Sequence, residues 1–266
     1  MPVTFCPIAS GSGGNCAYVG AGDTHILIDA GISGRRVEDG LRELGVDCAR
    51  VSAVFVTHEH VDHVSGLGIL ARRYGFTIYA TSKTWRYFER HDTLGRLSRE
   101  RARTLEPGER LSVGCVEVEP FNIPHDSSEP VGYCFYAGGH KIFVGTDIGS
   151  VTDEVRRNIS GASVVLLESN HDVEMLVNGR YPKKLKERIL GERGHLSNAS
   201  AGRLLAESFS DKLKYIYLGH LSKENNRPLI ALDTVSGILS AAGGFANGAS
   251  LLIADRDGLS EAAVLP

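Results

Sequence analysis

The sequence predicts an α/β protein made of two packed β-sheets with helices on their outer faces, folded as one domain over residues 1–266. Short apolar runs bounded by glycine recur in both halves of the chain, which is typical of buried strands. Helical patterns follow the strand runs in each half, and this order favours two sheets covered by helices. No Pro/Ser-rich linker and no fixed repeat divides the chain, so a single domain is expected.

The first half opens with strands and continues with alternating elements. Two or three strands joined by tight turns are predicted near 3–5, 16–19 and 24–29. A helix is predicted over 34–44, because Val37, Leu41 and Leu44 recur at helical spacing and Gly45 can end it. Further elements follow as a strand at 51–56, a helix near 65–74, a strand at 77–80 and a helix over 82–90.

The second half repeats this style. Strands are predicted near 111–121, 131–137, 140–146, 163–167, 215–218 and 249–254. Helices are predicted near 152–158, 182–190, 197–208 and 227–241. The two halves together therefore contain enough strands for two sheets.

The composition excludes several classes of protein. Lys and Arg number 29 and Asp and Glu number 32, so the net charge of −3 gives no strong basic excess that would announce a nucleic-acid partner. No run approaches the 18 apolar residues of a transmembrane helix, and residues 1–6 do not resemble a signal peptide. The five cysteines are an odd number without a CxxC motif, which disfavours disulfides and favours a cytoplasmic location.

A dense group of metal-binding residue types follows the strand predicted at 51–56. The segment Thr57-His58-Glu59-His60-Val61-Asp62-His63 places three histidines and an aspartate within six positions. A turn after a strand lets alternate side chains converge on one or two cations. The segment is not the HExxH motif of metalloproteases, because Asp62 stands where the second histidine is required. The alternative interpretation is a solvated His/Asp-rich loop.

The pattern His58-x-His60-x-Asp62-His63 resembles the signature of the metallo-β-lactamase superfamily, and further segments match in order along the chain. The resemblance implies a four-layer αβ/βα sandwich that holds two divalent metal ions. It implies that Asp29 orients ligands and that Asp147 bridges the two ions. The other implied ligands are His58, His60 and His125 on one ion, and Asp62, His63 and His220 on the other. Taken alone, His125 and His220 would more often be structural histidines.

Two cations held close together suit in-line attack on a phosphodiester. One of them activates water to a hydroxide nucleophile, and both stabilise charge on the attacking and leaving oxygens. Histidine-rich ligation suits zinc, whereas the carboxylate ligands also accept manganese or iron. The ligand types therefore leave the identity of the metal open.

Two segments of the second half resemble the nucleases of this superfamily. In Gly194-His195-Leu196-Ser197, the resemblance implies that His195 is the general acid that gives a proton to the leaving oxygen. It implies that Glu168, at the end of a predicted strand, orients His195, and a carboxylate partner keeps imidazole protonated at neutral pH. Asp62 completes the candidate catalytic set. The alternative for His195 is an ordinary surface histidine before a helix.

Within the superfamily, the chain resembles the YycJ/WalJ-type nuclease branch. The resemblance is carried by residues 9–15, 168–172, 194–198 and 220–226, and it implies a 5′→3′ exonuclease acting on DNA. Only 20 residues lie between Asp147 and Glu168, too few for the tRNA-binding arm of ribonuclease Z. Only 72 lie between Asp147 and His220, too few for the β-CASP domain of ribonuclease J. RNA is therefore the weaker choice of substrate.

Candidate substrate contacts are less specific. The polar residues considered are Ser197, Ser222, Asn225 and Asn226, although the asparagine pair can equally form a turn. The glycine-rich loop (residues 10–14) is either a tight connection or a place where substrate approaches. Residues 72–103 contain nine Lys/Arg against three Asp/Glu, and residues 178–193 contain six against two. These positive stretches favour binding to a phosphate backbone. The support is modest, since charge runs on helices are usually solvated faces.

The sequence therefore predicts a dinuclear-metal-dependent phosphodiesterase or nuclease with DNA as its substrate and no membrane partner. The alternative is a small-molecule metallohydrolase of the same fold that acts on a thioester, a lactone or a cyclic phosphodiester. Such an enzyme would share the seven ligands but has no evident need for His195 with Glu168. A non-catalytic metal-binding module is disfavoured by the complete ligand set.

Overall fold

The computed structural model describes residues 1–243 and 248–266. In chain order, its strands are β1 (Val3–Ala9), β2 (Cys16–Ala21), β3 (Thr24–Ile28), β4 (Ala53–Phe55), β5 (Thr77–Ala80), β6 (Ala102–Thr104), β7 (Leu111–Val113), β8 (Val116–Asn122), β9 (Val131–Ala137), β10 (His140–Gly145), β11 (Val164–Glu168), β12 (Tyr215–Gly219), β13 (Ser250–Ile253) and β14 (Ala263–Leu265). Its α-helices are α1 (Gly34–Glu43), α2 (Val61–Val64), α3 (Leu67–Tyr74), α4 (Ser82–His91), α5 (Asp153–Ile159), α6 (Val173–Asn178), α7 (Lys183–Leu190), α8 (Asn198–Ser208) and α9 (Pro228–Ala241).

The strands form two mixed sheets. The first has the order β14-β1-β2-β3-β4-β5-β6, and the second has the order β13-β12-β11-β10-β9-β8-β7. Within the first sheet β3 to β6 are parallel neighbours, and within the second β10 to β13 are parallel neighbours. Because parallel strands end at the same edge of a sheet, the loops that follow them collect along one side of the molecule.

Alternation along the strands explains how the sheets pack. In β3, Ile26 and Ile28 face the second sheet, whereas Leu27 faces the helices outside the first. Between the sheets, the Phe55 ring lies 5.9 Å from the Phe135 ring in an edge-to-face contact. Apolar side chains from both sheets therefore form one continuous central core.

Helices cover the outer faces of both sheets. Helices α1, α3 and α4 pack on the first sheet through residues that include Leu41, Leu70 and Phe88. Helices α5, α8 and α9 pack on the second through residues that include Val155 and Leu204. The predicted four-layer αβ/βα sandwich is confirmed. Among the described residues, no helix is both long and apolar enough to cross a membrane.

Most predicted elements are confirmed to within a few residues, and the differences have local causes. The helix predicted near 65–74 corresponds to α3, which begins at Leu67 after Gly66, and the short helix α2 that precedes it was not predicted. A Cβ on Gly66 would lie 2.1 Å from the Ile32 carbonyl oxygen, so the backbone passes close to its neighbour between the two helices. The region 111–121 is a hairpin whose turn contains Gly114 with φ of +56°. Elements β6, β14 and α6 were not predicted, because three to six residues do not establish a period.

Candidate metal centre

The candidate ligands lie where strands end. Asp29 follows β3, residues 58–63 follow β4, Asp147 follows β10, Glu168 ends β11 and His220 follows β12. His125 lies in the loop after β8. Since these strand ends share one edge of the sandwich, the topology brings together side chains from positions 29 to 220 of the chain.

Three of these residues have an unusual backbone. Asp29, Asp147 and His220 have φ angles of 59°, 59° and 53°, in the left-handed region. A non-glycine residue there costs of order 1–3 kcal/mol, so the surrounding structure must hold it in place. Each turn directs its side chain back across the strand ends, where the candidate ligands meet.

The ligand atoms form overlapping clusters. Within each of four groups they lie within 4.8 Å of one another, and the groups are His58/His60/His125, Asp62/His63/His220, His58/His63/Asp147 and Asp147/Glu168/His195/His220. The first two groups are the two ligand sets predicted from the sequence. The Asp147 carboxylate lies 3.1 Å from His63 Nε2 and 3.7 Å from His125 Nε2, between those sets. The structure therefore brings all seven predicted ligands together.

Hydrogen bonds on one ring nitrogen orient the buried histidines. His63 Nδ1 donates to Asp29 Oδ2 at 2.7 Å, and His220 Nδ1 donates to Glu168 Oε1 at 2.8 Å. His58 Nδ1 lies 3.0 Å from the Thr57 hydroxyl, and His125 Nδ1 lies 3.2 Å from the Gly194 carbonyl oxygen. Each Nδ1 has a partner, which directs the Nε2 of His58, His125 and His220 towards the shared centre. His63 Nε2 lies 3.1 Å from both Asn15 Nδ2 and Asp147 Oδ2.

The unpartnered atoms fit a metal site. Nε2 of His58, His125 and His220 is buried without a hydrogen-bond partner in the described part of the chain. Burial holds the pKa of His58 well below its usual value and also lowers that of His125, so both rings are neutral, the form that binds metal. This mixed set of imidazole and carboxylate groups suits divalent cations.

Asp147 and His220 shift each other's pKa in opposite directions. Burial alone would raise the pKa of Asp147, but the charges of His220 and His63 hold it well below its usual value. Burial alone would lower the pKa of His220, but Asp147, Asp62 and Glu168 raise it to about 10. A cation that takes the place of this proton would release it, which makes metal binding depend on pH.

Glu168 connects the ligands to the candidate acid. Its Oε1 accepts hydrogen bonds from His195 Nδ1 and His220 Nδ1, both at 2.8 Å. Its Oε2 accepts from the backbone N–H groups of Ile148 at 2.8 Å and Leu196 at 3.0 Å. Burial would raise the pKa of Glu168, but the charge and hydrogen bond of His195 hold it at about 2, so the side chain is a carboxylate.

An open cavity of about 250 Å³ leads to the ligands. His60, Asp62, His125, Asp147, His195 and His220 lie in its wall. Sequence reasoning gave no individual role to several other lining residues, namely Ser12, Asn170, Tyr181, Leu185, Arg188 and Ile189. Arg188 Nη2 donates to Asp126 Oδ1 at 2.9 Å. The spacing of Leu185, Arg188 and Ile189 on one face of α7 was the available signal.

The four candidate substrate residues differ in position. Ser222 lies in the cavity wall. Ser197 caps α8, because its side chain accepts a hydrogen bond from Ser200 N. Asn225 is 1% exposed, and its backbone N–H donates to Ser222 Oγ at 3.2 Å. Asn226 is 2% exposed, and its Nδ2 donates to Ser169 O at 2.8 Å and Asn170 O at 3.0 Å. Neither asparagine lines this cavity.

This fold and this ligand geometry define a protein of the metallo-β-lactamase fold. A family model described as the beta-lactamase superfamily domain matches residues 24–215, and the chain belongs to that superfamily. Zn²⁺-bound PqqB from Methylobacterium extorquens has the same fold, with a TM-score of 0.72, 18% identity and 99% coverage of each chain.

Two relatives are similar in sequence over most of their length. Exodeoxyribonuclease YycJ of Bacillus anthracis is 40% identical over 257 residues, which is 97% of this chain and 96% of that protein. Exodeoxyribonuclease WalJ of Streptococcus pneumoniae serotype 2 (strain D39) is 38% identical over 235 residues, 88% of this chain and 87% of that protein. The family and the ligand clusters together show that the chain is a metal-dependent hydrolase.

Proposed function

We propose that this chain is an exodeoxyribonuclease that hydrolyses phosphodiester bonds of DNA in the 5′→3′ direction. The observation that carries the proposal is His195 in the wall of the metal cavity, with its Nδ1 hydrogen-bonded to the buried Glu168. A nucleotide leaves as an alkoxide, which needs a proton, and a positioned imidazole can provide it. The names of the two relatives support DNA as the substrate.

Two divalent cations complete the proposed site. His58, His60 and His125 would hold one, Asp62, His63 and His220 would hold the other, and Asp147 would bridge them. When bound, such cations lower the pKa of water and stabilise the charge that develops on the phosphate. The ligand set accepts zinc, manganese or iron.

Two side chains of this protein, Asp62 and His195, would transfer the protons of the reaction. The Asp62 side chain lines the cavity and is 21% exposed, so it is within reach of a water there and would accept the proton of the attacking water. The water oxygen bonds to phosphorus while the bond from phosphorus to the leaving oxygen breaks. His195 would protonate that oxygen. Burial alone would lower the pKa of His195, but the charge and hydrogen bond of Glu168 raise it, which favours the protonated form.

Two further residues would contact the DNA strand. Arg188 brings a guanidinium to the cavity wall, and Ser222 brings a hydroxyl. Ser197 would act through the start of α8, which its side chain caps. Asn225 and Asn226 are buried, so they would support the loop that follows His220 and would not contact the substrate.

The direct test is degradation of end-labelled DNA. Protein supplied with Mn²⁺, Zn²⁺ or Fe²⁺ is incubated with single- and double-stranded oligonucleotides that carry the label at either end. We expect stepwise release of nucleotides from 5′ ends, and loss of activity in Asp62→Ala. No degradation with any of these metals, together with hydrolysis of a thioester, a lactone or a cyclic phosphodiester, would establish the small-molecule alternative instead.

The role of His195 has a separate test. We expect His195→Ala to lower kcat on DNA roughly 100- to 10,000-fold. On bis(p-nitrophenyl) phosphate, whose leaving group needs no proton, the same variant should lose less than about tenfold. Equal losses on both substrates would remove the general-acid role and leave His195 a structural one.

We also propose that the protein is cytoplasmic. All five cysteines are unbonded thiols, and four of them are buried. Burial raises the pKa of Cys6 and Cys134 to about 12, which makes these thiols unreactive. A reducing compartment maintains cysteines in this state.

A further inference from the structure

The glycine-rich loop (residues 10–14) lies beside the cavity, and the mechanism above does not use it. Its two ends serve the fold. Ser10 Oγ accepts a hydrogen bond from His220 N at 2.9 Å. Gly14 has φ of +147°, and a Cβ there would lie 2.4 Å from the Gly31 carbonyl oxygen. Glycine is therefore required at position 14 for packing.

The tip of this loop, Ser12 and Gly13, has no such role in packing. Ser12 and Gly13 are exposed, and a Cβ on Gly13 would meet no atom within 4 Å. Their backbone N–H groups have no hydrogen-bond partner among the described residues. Ser12 lies in the cavity wall with Asp62 and His220. The tip thus offers free donors at the edge of the metal centre.

A cation lies next to the same loop. If Gly11 carried a Cβ, that atom would lie 3.5 Å from Arg256 Cγ and 3.9 Å from Arg256 Cζ. Arg256 Nη2 donates to the Leu221 carbonyl oxygen at 2.8 Å, which holds the side chain beside the turn after His220.

Arg256 differs from the other arginines near it. Arg188 has Asp126 as its ion-pair partner, and Arg36 has Asp257 at 3.8 Å. Within residues 1–243 and 248–266, Arg256 has no carboxylate within 4 Å. The Asp255 carboxylate beside it accepts instead from the backbone N–H groups of residues 257 and 258. The guanidinium therefore keeps unused donors and an uncompensated charge.

We propose that Arg256 and the Ser12–Gly13 tip form a phosphate subsite that binds a backbone phosphate of the DNA strand beside the bond to be cleaved. This rests on the proposed function. A guanidinium and backbone N–H groups are the donors that proteins commonly use for phosphate oxygens. The subsite would position the strand without reading its sequence.

The first test compares Arg256→Gln with the matched control Arg35→Gln. Arg35 is an exposed arginine on α1 whose side chain is 90% exposed. With a single-stranded oligonucleotide and Mn²⁺, we expect Arg256→Gln to raise KM roughly tenfold at unchanged kcat. The slope of log affinity against log salt should fall by about 0.7, the value for one phosphate contact on a single strand. Arg256→Lys should recover part of the loss, and Arg35→Gln should behave as the wild type.

The second test changes the DNA and leaves the wild-type protein intact, so that misfolding cannot imitate the result. A neutral methylphosphonate is placed at each internucleotide position in turn, and 5′-phosphate and 5′-hydroxyl ends are compared. We expect the methylphosphonate at one position to weaken binding of the DNA to the wild type but not to Arg256→Gln. A loss seen only on removal of the terminal phosphate would contradict a backbone contact.

The outcomes separate the two proposals. Binding is measured by fluorescence anisotropy in EDTA, so it does not depend on turnover. A wild type that cuts DNA, with unchanged KM and salt slope in Arg256→Gln, overturns the subsite alone. A wild type that neither binds nor cuts DNA overturns the proposed function and the subsite with it.

Discussion

At the scale of the residue, Glu168 joins the metal ligands to the candidate acid. One carboxylate oxygen accepts from Nδ1 of both His195 and His220, while the other accepts from two backbone N–H groups. All four donors thus point at a single, fully buried side chain. The glutamate therefore fixes the tautomer of a candidate ligand as well as the position of the candidate acid.

We expect Glu168→Gln to impair both functions. If the amide oxygen faces the backbone donors, its NH₂ faces the two Nδ1 atoms, and His220 must then carry its proton on Nε2, where the metal would bind. Metal affinity or activity should fall about 10- to 100-fold. Calorimetric titration with Zn²⁺ measures the affinity. His195→Ala serves as the control, because it should reduce activity and leave metal affinity unchanged.

His171 is a buried histidine outside the ligand set. It is 1% exposed, and neither ring nitrogen has a hydrogen-bond partner among the described residues. Burial lowers its pKa to about 4, while Glu168 and Asp172 oppose this shift and His195 adds to it. The folded chain therefore keeps this ring neutral at pH values where the unfolded chain would protonate it.

This difference predicts a dependence of stability on pH. Since the folded pKa lies below the unfolded value of about 6.5, the unfolded state binds more protons between pH 6.5 and 4. The free energy of unfolding should fall as pH decreases through that window, by up to about 3 kcal/mol from this group. Urea denaturation of wild type and His171→Phe in EDTA measures it. Parallel curves for the two proteins would contradict this contribution.

At the scale of the element, close contact between loops sets the position of the ligands. A Cβ on Gly31, just after β3, would lie 1.7 Å from the Asp62 carbonyl oxygen in α2. The backbone N–H of Asn15 donates to the same oxygen at 2.8 Å. The turns after β1, β3 and β4 therefore pack backbone against backbone, and Asp62 and His63 depend on that fit.

We expect Gly31→Ala to push the Asp62 turn away from its neighbours. The added methyl group meets backbone, which cannot rotate aside as a side chain can, so metal affinity should fall at least tenfold. Gly237→Ala is the matched control. A Cβ at that position in α9 meets no atom within 4 Å, and alanine there should be neutral or stabilise the helix by about 0.5–1 kcal/mol. Equal metal affinity in both variants would show that the loops can adjust.

At the scale of the whole molecule, the metal centre joins the two sheets. His58, His60, Asp62 and His63 follow a strand of the first sheet, whose strands β1 to β6 come first in the chain. His125, Asp147 and His220 follow strands of the second sheet. The carboxyl-terminal strand β14 also pairs with β1, so the first sheet contains both ends of the described chain. Neither sheet holds a complete ligand set by itself.

This arrangement predicts one cooperative unfolding transition, as for a single domain over residues 1–266. Differential scanning calorimetry should give one transition, and Zn²⁺ or Mn²⁺ at 100 times its Kd should stabilise the fold by about 2.7 kcal/mol relative to EDTA. Two separate transitions, of which only one responds to metal, would contradict the single-domain prediction. Asp147→Asn serves as the control, because it should weaken the response to metal.

The sequence by itself determined the architecture and predicted the candidate ligand set. Strand patterns placed most elements, and the spacing of His58, His60, Asp62 and His63 predicted a metal site because short spacings fix which side chains converge. His125, Asp147 and His220 were predicted through resemblance, since nothing local distinguishes a single histidine or aspartate after a strand. The clusters that these residues form agree with that prediction.

The tertiary structure alone decided what depends on contacts between distant segments. Glu168 reaches both His195 and His220, Arg188 lies in the cavity wall, and Arg256 lies beside Gly11, although these partners are up to 245 residues apart. It also decided that Asn226 uses its amide inside the fold. Burial, hydrogen-bond partners and charge neighbours are properties of the assembled sheets, so no local pattern of residues contains them.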